Sequence, residues 1–203
     1  MASIEIKPPT ISTLLLPLVG DSPLIVHAWS EKARRQMADK QQKRAVRGRE
    51  ARDPWADFVG SLYWLNKPDV TDEAAVEAGR FGFPAIGFKA AAVTACTSTG
   101  ITKIAARQAF HIDGEFVEIK APPPSMREDV VRVGMGAADL RYRGEFWPWR
   151  VDLLVKFNAD LLSAEQLANL FNLAGFAVGV AEWRPERDGV HGRFHVGSRQ
   201  EVG

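Results

Sequence analysis

Phe83-Pro84-Ala85-Ile86-Gly87-Phe88-Lys89-Ala90-Ala91 carries the chain from a strand into a helix, and the remaining elements can be ordered outward from it. Phe81-Gly82-Phe83 reads as a short strand. Pro84 stands where a helix tolerates a missing amide proton, in its first turn. From Pro84 to about Thr97 the residues are nearly all small or apolar apart from Lys89, so this helix is expected to pack closely on a sheet.

Upstream, Ser12 to Val19 and Leu24 to Trp29 read as extended apolar segments joined by the turn residues Gly20-Asp21-Ser22-Pro23. Downstream, Phe116 to Ile119, Val130 to Val133, Leu140 to Phe146 and Trp149 to Phe157 have strand composition. Leu140, Tyr142 and Phe146 alternate with Arg141, Arg143 and Glu145. Trp149, Val151, Leu153, Val155 and Phe157 likewise fall on one side, which predicts half-buried strands joined near Trp147-Pro148. Ser163 with Gln166 forms a capping box for a helix through Leu167, Leu170, Phe171 and Leu173 that ends before Gly175, and Arg193 to Val196 is the last strand. The expected class is α+β, a βαββαβ core of ferredoxin-like (RRM-like) plan with insertions, as a single domain over residues 1–203.

The large insertion is basic. Ser30 caps a helix that continues in helix formers until Gly48 and stops before Pro54. From Lys32 to Arg52 nine basic residues (Lys32, Arg34, Arg35, Lys40, Lys43, Arg44, Arg47, Arg49, Arg52) face two acidic ones, a net of +7. The whole chain carries +1, which leaves −6 elsewhere. The segment has no continuous apolar stripe, so it cannot bury much of itself, and residues 30–53 read as an arm for a polyanion. Pro54 to Leu65 is apolar enough to return the chain to the body, and the acidic Asp69 to Glu77 reads as a surface loop or short helix.

Composition excludes several classes. No apolar run reaches the roughly 18 to 20 residues that span a bilayer, Ile11 to Val26 being broken by Pro17, Gly20, Asp21 and Pro23. Cys96 is the only cysteine, so no intramolecular disulfide forms, and no secretory leader is visible; the expected setting is a reducing cytoplasm. No phosphate-binding loop, nucleophile elbow or dinucleotide fingerprint is present, and no cofactor is expected. Glu182, Glu186, Asp188 and His191 cluster in sequence, but among arginines they read as a solvated ion-pair network, and no metal is expected.

Two blocks, Phe83 to Ala91 and Gly175-Phe176-Ala177-Val178-Gly179 with Asp188-Gly189-Val190-His191-Gly192-Arg193-Phe194-His195-Val196, together resemble the RAMP superfamily, whose members form CRISPR effector backbones. The first is similar to its strand-to-helix signature and the second to its glycine-rich loop before the last strand. The resemblance covers about 40 residues and implies nucleic-acid binding, with Lys89 at the basic position and Gly189, Gly192 and Arg193 on the loop. Ala85 and Gly87 replace the usual serines, and Ala90 the usual glycine, which weakens the case for phosphate contact through hydroxyls. The chain also resembles bacteriophage-encoded proteins through Ser22-Pro23-Leu24-Ile25 and Glu182-Trp183-Arg184-Pro185-Glu186, implying a bacterial host cytoplasm.

A helix N-terminus can hold phosphate, glycines let a strand approach, and exposed tryptophans stack on bases; Trp29 and Trp183 are the chosen stacking candidates. The leading expectation is a protein that binds single-stranded DNA or RNA without sequence preference and assembles along it as a homo-oligomer or filament, in phage replication or recombination. One alternative is a RAMP-type endoribonuclease using His191 and His195 as acid and base, although i and i+4 on a strand lie about 13 Å apart. The other is a protein-interaction module whose arm docks on an acidic partner.

Overall fold

The computed structural model describes residues 6–42, 52–133 and 137–202. In chain order the elements are β1 (Ile11–Gly20), β2 (Leu24–Val26), α1 (Glu31–Gln41), α2 (Pro54–Ser61), α3 (Glu73–Glu77), β3 (Gly82–Pro84), α4 (Ala85–Ala95), α5 (Lys103–Ala109), β4 (Phe110–Ile112), β5 (Phe116–Glu118), β6 (Ser125–Val133), β7 (Ala137–Phe146), β8 (Arg150–Asn158), α6 (Ala164–Ala177), β9 (Phe194–Val196) and α7 (Arg199–Val202). The architecture is mixed α+β with antiparallel sheets. Four strands lie in the order β4-β8-β1-β9, three in the order β2-β7-β6, and β3 pairs with β5.

The chain leaves β1 and reaches β4 through α4, with β8 between the two strands; it leaves β8 and reaches β9 through α6, with β1 between. Every pairing is antiparallel, so β1 runs parallel to β4 and β8 parallel to β9. Both helices cover the face where Leu16, Leu18, Val151, Leu153, Val155 and Phe157 are buried. Phe88 of α4 meets Phe194 at 5.7 Å between ring centres, and Phe171 of α6 meets Phe110 at 5.8 Å. The alternation expected in β8 is thus realised, and both bonds of the Ser163–Gln166 capping box start α6.

The β1–β2 and β7–β8 segments form one bent ribbon. Val19 pairs with Arg150 and Leu24 with Phe146, so four residues, Gly20 to Pro23, oppose three, Trp147 to Trp149. An extra residue on one strand bends it, and here the bend hands the ribbon from one sheet to the other. The Trp147-Pro148 peptide is cis. The buried Trp149 indole N–H donates to the Ser22 carbonyl at 2.7 Å, and its ring lies so close to Gly20 that a β-carbon there would collide with it. The C-terminal segment fastens to the same corner. Arg193 N–H donates to Ser22 Oγ, Asp21 N–H to the Arg193 carbonyl and Gly192 N–H to the Pro23 carbonyl.

Several expectations are revised. α5, which starts at the N-cap Thr102, is not among the expected elements. Pro84 ends β3 and caps α4 instead of lying in its first turn. α1 ends at Gln41, and the expected continuation to Gly48 lies outside the described residues. The charged side of β7 does not face solvent: Arg143 is 5% exposed, because the C-terminal segment covers that side of the sheet. Among the described residues no helix is long and apolar enough to cross a membrane.

Trp149→Phe strands the Ser22 carbonyl in a dry corner, and an unsatisfied buried acceptor costs about 2 kcal/mol. Urea unfolding should show the midpoint falling by the corresponding amount with an unchanged slope.

Candidate nucleic-acid interface

The fold brings the two sequence blocks to one place. The outer side of α4 contributes Gly87, Ala90, Ala91 and Thr94, the segment from Val178 to Arg187 forms the opposite wall, and His27, Tyr63 and Phe83 complete a cleft of about 350 Å³. The small residues of α4 explain the space: the helix turns Phe88, Ala92 and Ala95 into the core and leaves glycine and alanine along the cleft. His27 follows β2, and the Tyr63 hydroxyl reaches its carbonyl at 3.5 Å.

The Val178–Gly192 wall is a strained loop. Ala181, Trp183 and Asp188 have φ of 65°, 54° and 58°, a left-handed conformation that side-chain-bearing residues rarely adopt. Such backbone persists only where the surroundings over-determine it. Here Val180 N–H donates to the Gly192 carbonyl, Glu182 N–H to Ile25, His191 N–H to Trp183 and Arg184 Nη1 to Ala181. Gly192 has φ of 64° and backs onto the Val180 carbonyl, while Gly189 backs onto the Trp183 carbonyl. Both glycines are therefore required by contacts of the loop with itself.

Charge at the cleft is nearly balanced. Arg184 grips Glu186 through Nε at 2.9 Å and Nη2 at 2.8 Å, whereas Arg187 lies exposed on the rim. Glu182 lies 3.5 Å from Arg143 and 3.9 Å from His27. Behind it, Arg127 bonds Asp129 and Glu145, and Arg143 also bonds Asp129. Burial works against the Asp129 charge, but the two guanidiniums outweigh it and hold the carboxyl below its ordinary range. Burial, then Arg143, keeps the His27 pKa low; burial, then Arg127, does the same for His191.

The other expected site residues are scattered. Arg34, Arg35 and Lys40 are exposed on α1, and Lys32 lies in its first turn. Lys43, Arg44, Arg47 and Arg49 lie outside the described residues. Arg52 bonds Asp57 and Asp139, tying α2 to β7. Lys89 faces the β4 edge, 3.1 Å from His111 Nδ1 and 5.7 Å above the Phe110 ring, away from the glycine-rich loop. Arg193 Nε donates to the Val190 carbonyl within the loop. Trp29 is 63% exposed just before α1, and Trp183, 40% exposed on the loop, also reaches Asp129 at 3.4 Å.

His191 and His195 share no partner among the described residues: the Nδ1 atom of the half-buried His191 is enclosed without a hydrogen bond, while His195 sits between Asp21 at 2.7 Å and Glu201 at 3.2 Å. The outward positions of the four-stranded sheet, including Thr13, Leu15, Leu154, Lys156 and His111, carry no Phe, Tyr or Trp, so the rings that face offers to a base are imidazoles. Sequence reasoning missed His27, Tyr63, Arg184 and Arg187 as a group. Arginines inside a Gly/Pro-rich loop were the available signal for the last two; nothing local marks the first two, because chain-distant pairing brings them in. Compared with known proteins, the sequence matches no family model and no curated protein.

Burial opposes protonation of His195, but its bonds to Asp21 and Glu201 prevail and raise its pKa above 6.5. Two bonds from Ser198, then His195, push Glu201 down to about 2. The raised histidine stabilises the fold fully below 6.5 and loses that effect as pH rises through its folded pKa. The lowered carboxylate stabilises above 4.5 and loses its effect as pH falls towards 2. His195→Gln should therefore lower the denaturation midpoint more at about pH 5.5 than at about pH 8.5. Gly192→Ala should lower thermal stability by several degrees in the absence of any ligand, as differential scanning calorimetry would read.

Proposed function

We propose that this chain binds single-stranded nucleic acid without sequence preference and that its copies assemble along the strand, on a ferredoxin-like core, in a phage replication or recombination setting. Support for the core comes from the strand order β4-β8-β1-β9, in which two crossovers, β1–α4–β4 and β8–α6–β9, each straddle a strand of the other. The loop between α6 and β9 then occupies the place of the glycine-rich loop in the RAMP resemblance.

The observation that carries the binding role is α1. Its described side chains are all exposed except the half-buried Asp39, and they include Arg34, Arg35 and Lys40. A helix whose described side chains bury so little gains from a partner that offsets the entropy of ordering it, and a polyanion suits Arg34, Arg35 and Lys40. Arg34 also lies near enough to the cleft for its charge to act on the Tyr63 phenol, opposing the rise that burial and Glu182 impose. Phosphate attraction along α1 thus adjoins a cleft whose walls offer Tyr63, Phe83 and His27 to a base, with Trp183 on the same loop.

Fluorescence anisotropy with labelled single-stranded DNA, single-stranded RNA and duplex DNA, at two salt concentrations, tests the role. Tight, salt-sensitive binding to one single strand is expected. Replacing Arg34, Arg35 and Lys40 together by alanine should weaken binding to all sequences alike and flatten the slope of log affinity against log salt by about 2. An unchanged slope removes α1 from the interface, and absence of binding to all three probes defeats the proposal.

A further inference from the structure

β6 is the outer strand of the β2-β7-β6 sheet, and pairing fixes which of its backbone groups face outward. The Ile25 carbonyl accepts from Glu182, so Ile25 faces away from β7 while its neighbours Leu24 and Val26 face Phe146 and Gly144. Groups alternate along a strand, so Glu145, Arg143, Arg141 and Asp139 of β7 face β6, opposite Ser125, Arg127, Asp129 and Val131. The N–H and C=O groups of Glu128, Val130 and Arg132 therefore point off the edge. Among the described residues, the backbone bonds outside the strand ladders include none to these three. Their side chains are all exposed, Val130 by 67%.

We propose that a second copy of this chain adds its own β6 to this edge, antiparallel about a twofold axis through Val130. The sequence Glu128-Asp129-Val130-Val131-Arg132 is self-complementary in that register: Val130 lies opposite the partner's Val130, and Glu128 opposite the partner's Arg132, twice over. All three pairs join residues whose backbone groups point outward, so the register satisfies hydrogen bonding as well as charge. Shifting it by two residues breaks the charge pairs, shifting it by four puts glutamate opposite glutamate or arginine opposite arginine, and so does parallel pairing. Tyr142 is the cross-strand neighbour of Glu128 on β7.

An unpaired edge of nine residues is a template for strand addition; β6 contains no proline, and among the described residues no helix covers its outward positions. The joined sheet has six strands in the order β2-β7-β6-β6-β7-β2, and an isologous contact of this kind closes at two copies. The contact does not depend on nucleic acid, so its failure and that of the binding role are separable.

Sedimentation equilibrium of the full chain without nucleic acid tests it, with a dimer expected. Arg132→Glu and Glu128→Arg should each weaken the dimer by about tenfold or more, since each sets like charges opposite one another at both pairs. The Glu128→Arg, Arg132→Glu double variant restores opposite charges and should restore dimerisation. Val130→Pro removes an outward N–H while sparing the β6–β7 ladder and should give a monomer. A wild-type chain that stays monomeric at about 100 µM overturns the proposal. So does an oligomer whose mass the single variants leave unchanged, or a double variant no better than the singles. Should Val130→Pro fail to fold, the charge swap decides alone.

Discussion

The structure turns on the fit of one indole against one bend. Trp149 closes on Gly20 and gives its N–H to the Ser22 carbonyl, and around that contact the chain passes from one sheet to the other. Residues Gly20 to Pro23 also receive the backbone of Gly192 and Arg193, and Asp21 bonds His195. The corner thus sets three things at once: the angle between the sheets, the place of the last strand, and the anchoring of the strained loop that walls the cleft. A left-handed Ala181 or Trp183, which costs about 1–3 kcal/mol each, is sustained because one end of its loop is tied to this corner through Gly192 and Arg193 and the other to α6 through Ala174.

The elements most legible in the sequence were those whose signal is local. β8 announced its buried face by strict alternation, α6 by its capping box, and α4 by a run of small and apolar residues after Pro84. β4, at three residues, is too short to show a period, and α5, at seven residues, is too short to show an apolar stripe, although Gly100 and the N-cap Thr102 precede it. Arg141, Arg143 and Glu145 alternate like a solvent face, yet Arg143 is buried because Asp129 and Glu182 come to it from other parts of the chain. Charge alternation reports only that a strand has two unlike sides, not which one is covered.

The same division holds at the cleft. Both motif blocks were visible as sequence, and their meeting follows from the order of the strands between them. What they present to each other was not visible, since Lys89 leaves the meeting for the β4 edge and His27 and Tyr63 join it. On the proposed role, the basic residues of α1 and the near neutrality inside the cleft divide two jobs. Long-range attraction needs only density of charge, whereas a snug wall needs small residues and a fixed backbone.

Gly189 and Gly192 bear on how relatives of this chain would be read. Each backs onto a carbonyl of its own loop, so any lineage that keeps the packing must keep the glycine, whatever passes through the cleft. Invariance at these two positions would record selection for a folded loop. On the proposed role, variation at Arg187 or Tyr63, where the lining carries no such glycine, is where a change of ligand would leave its trace in descent.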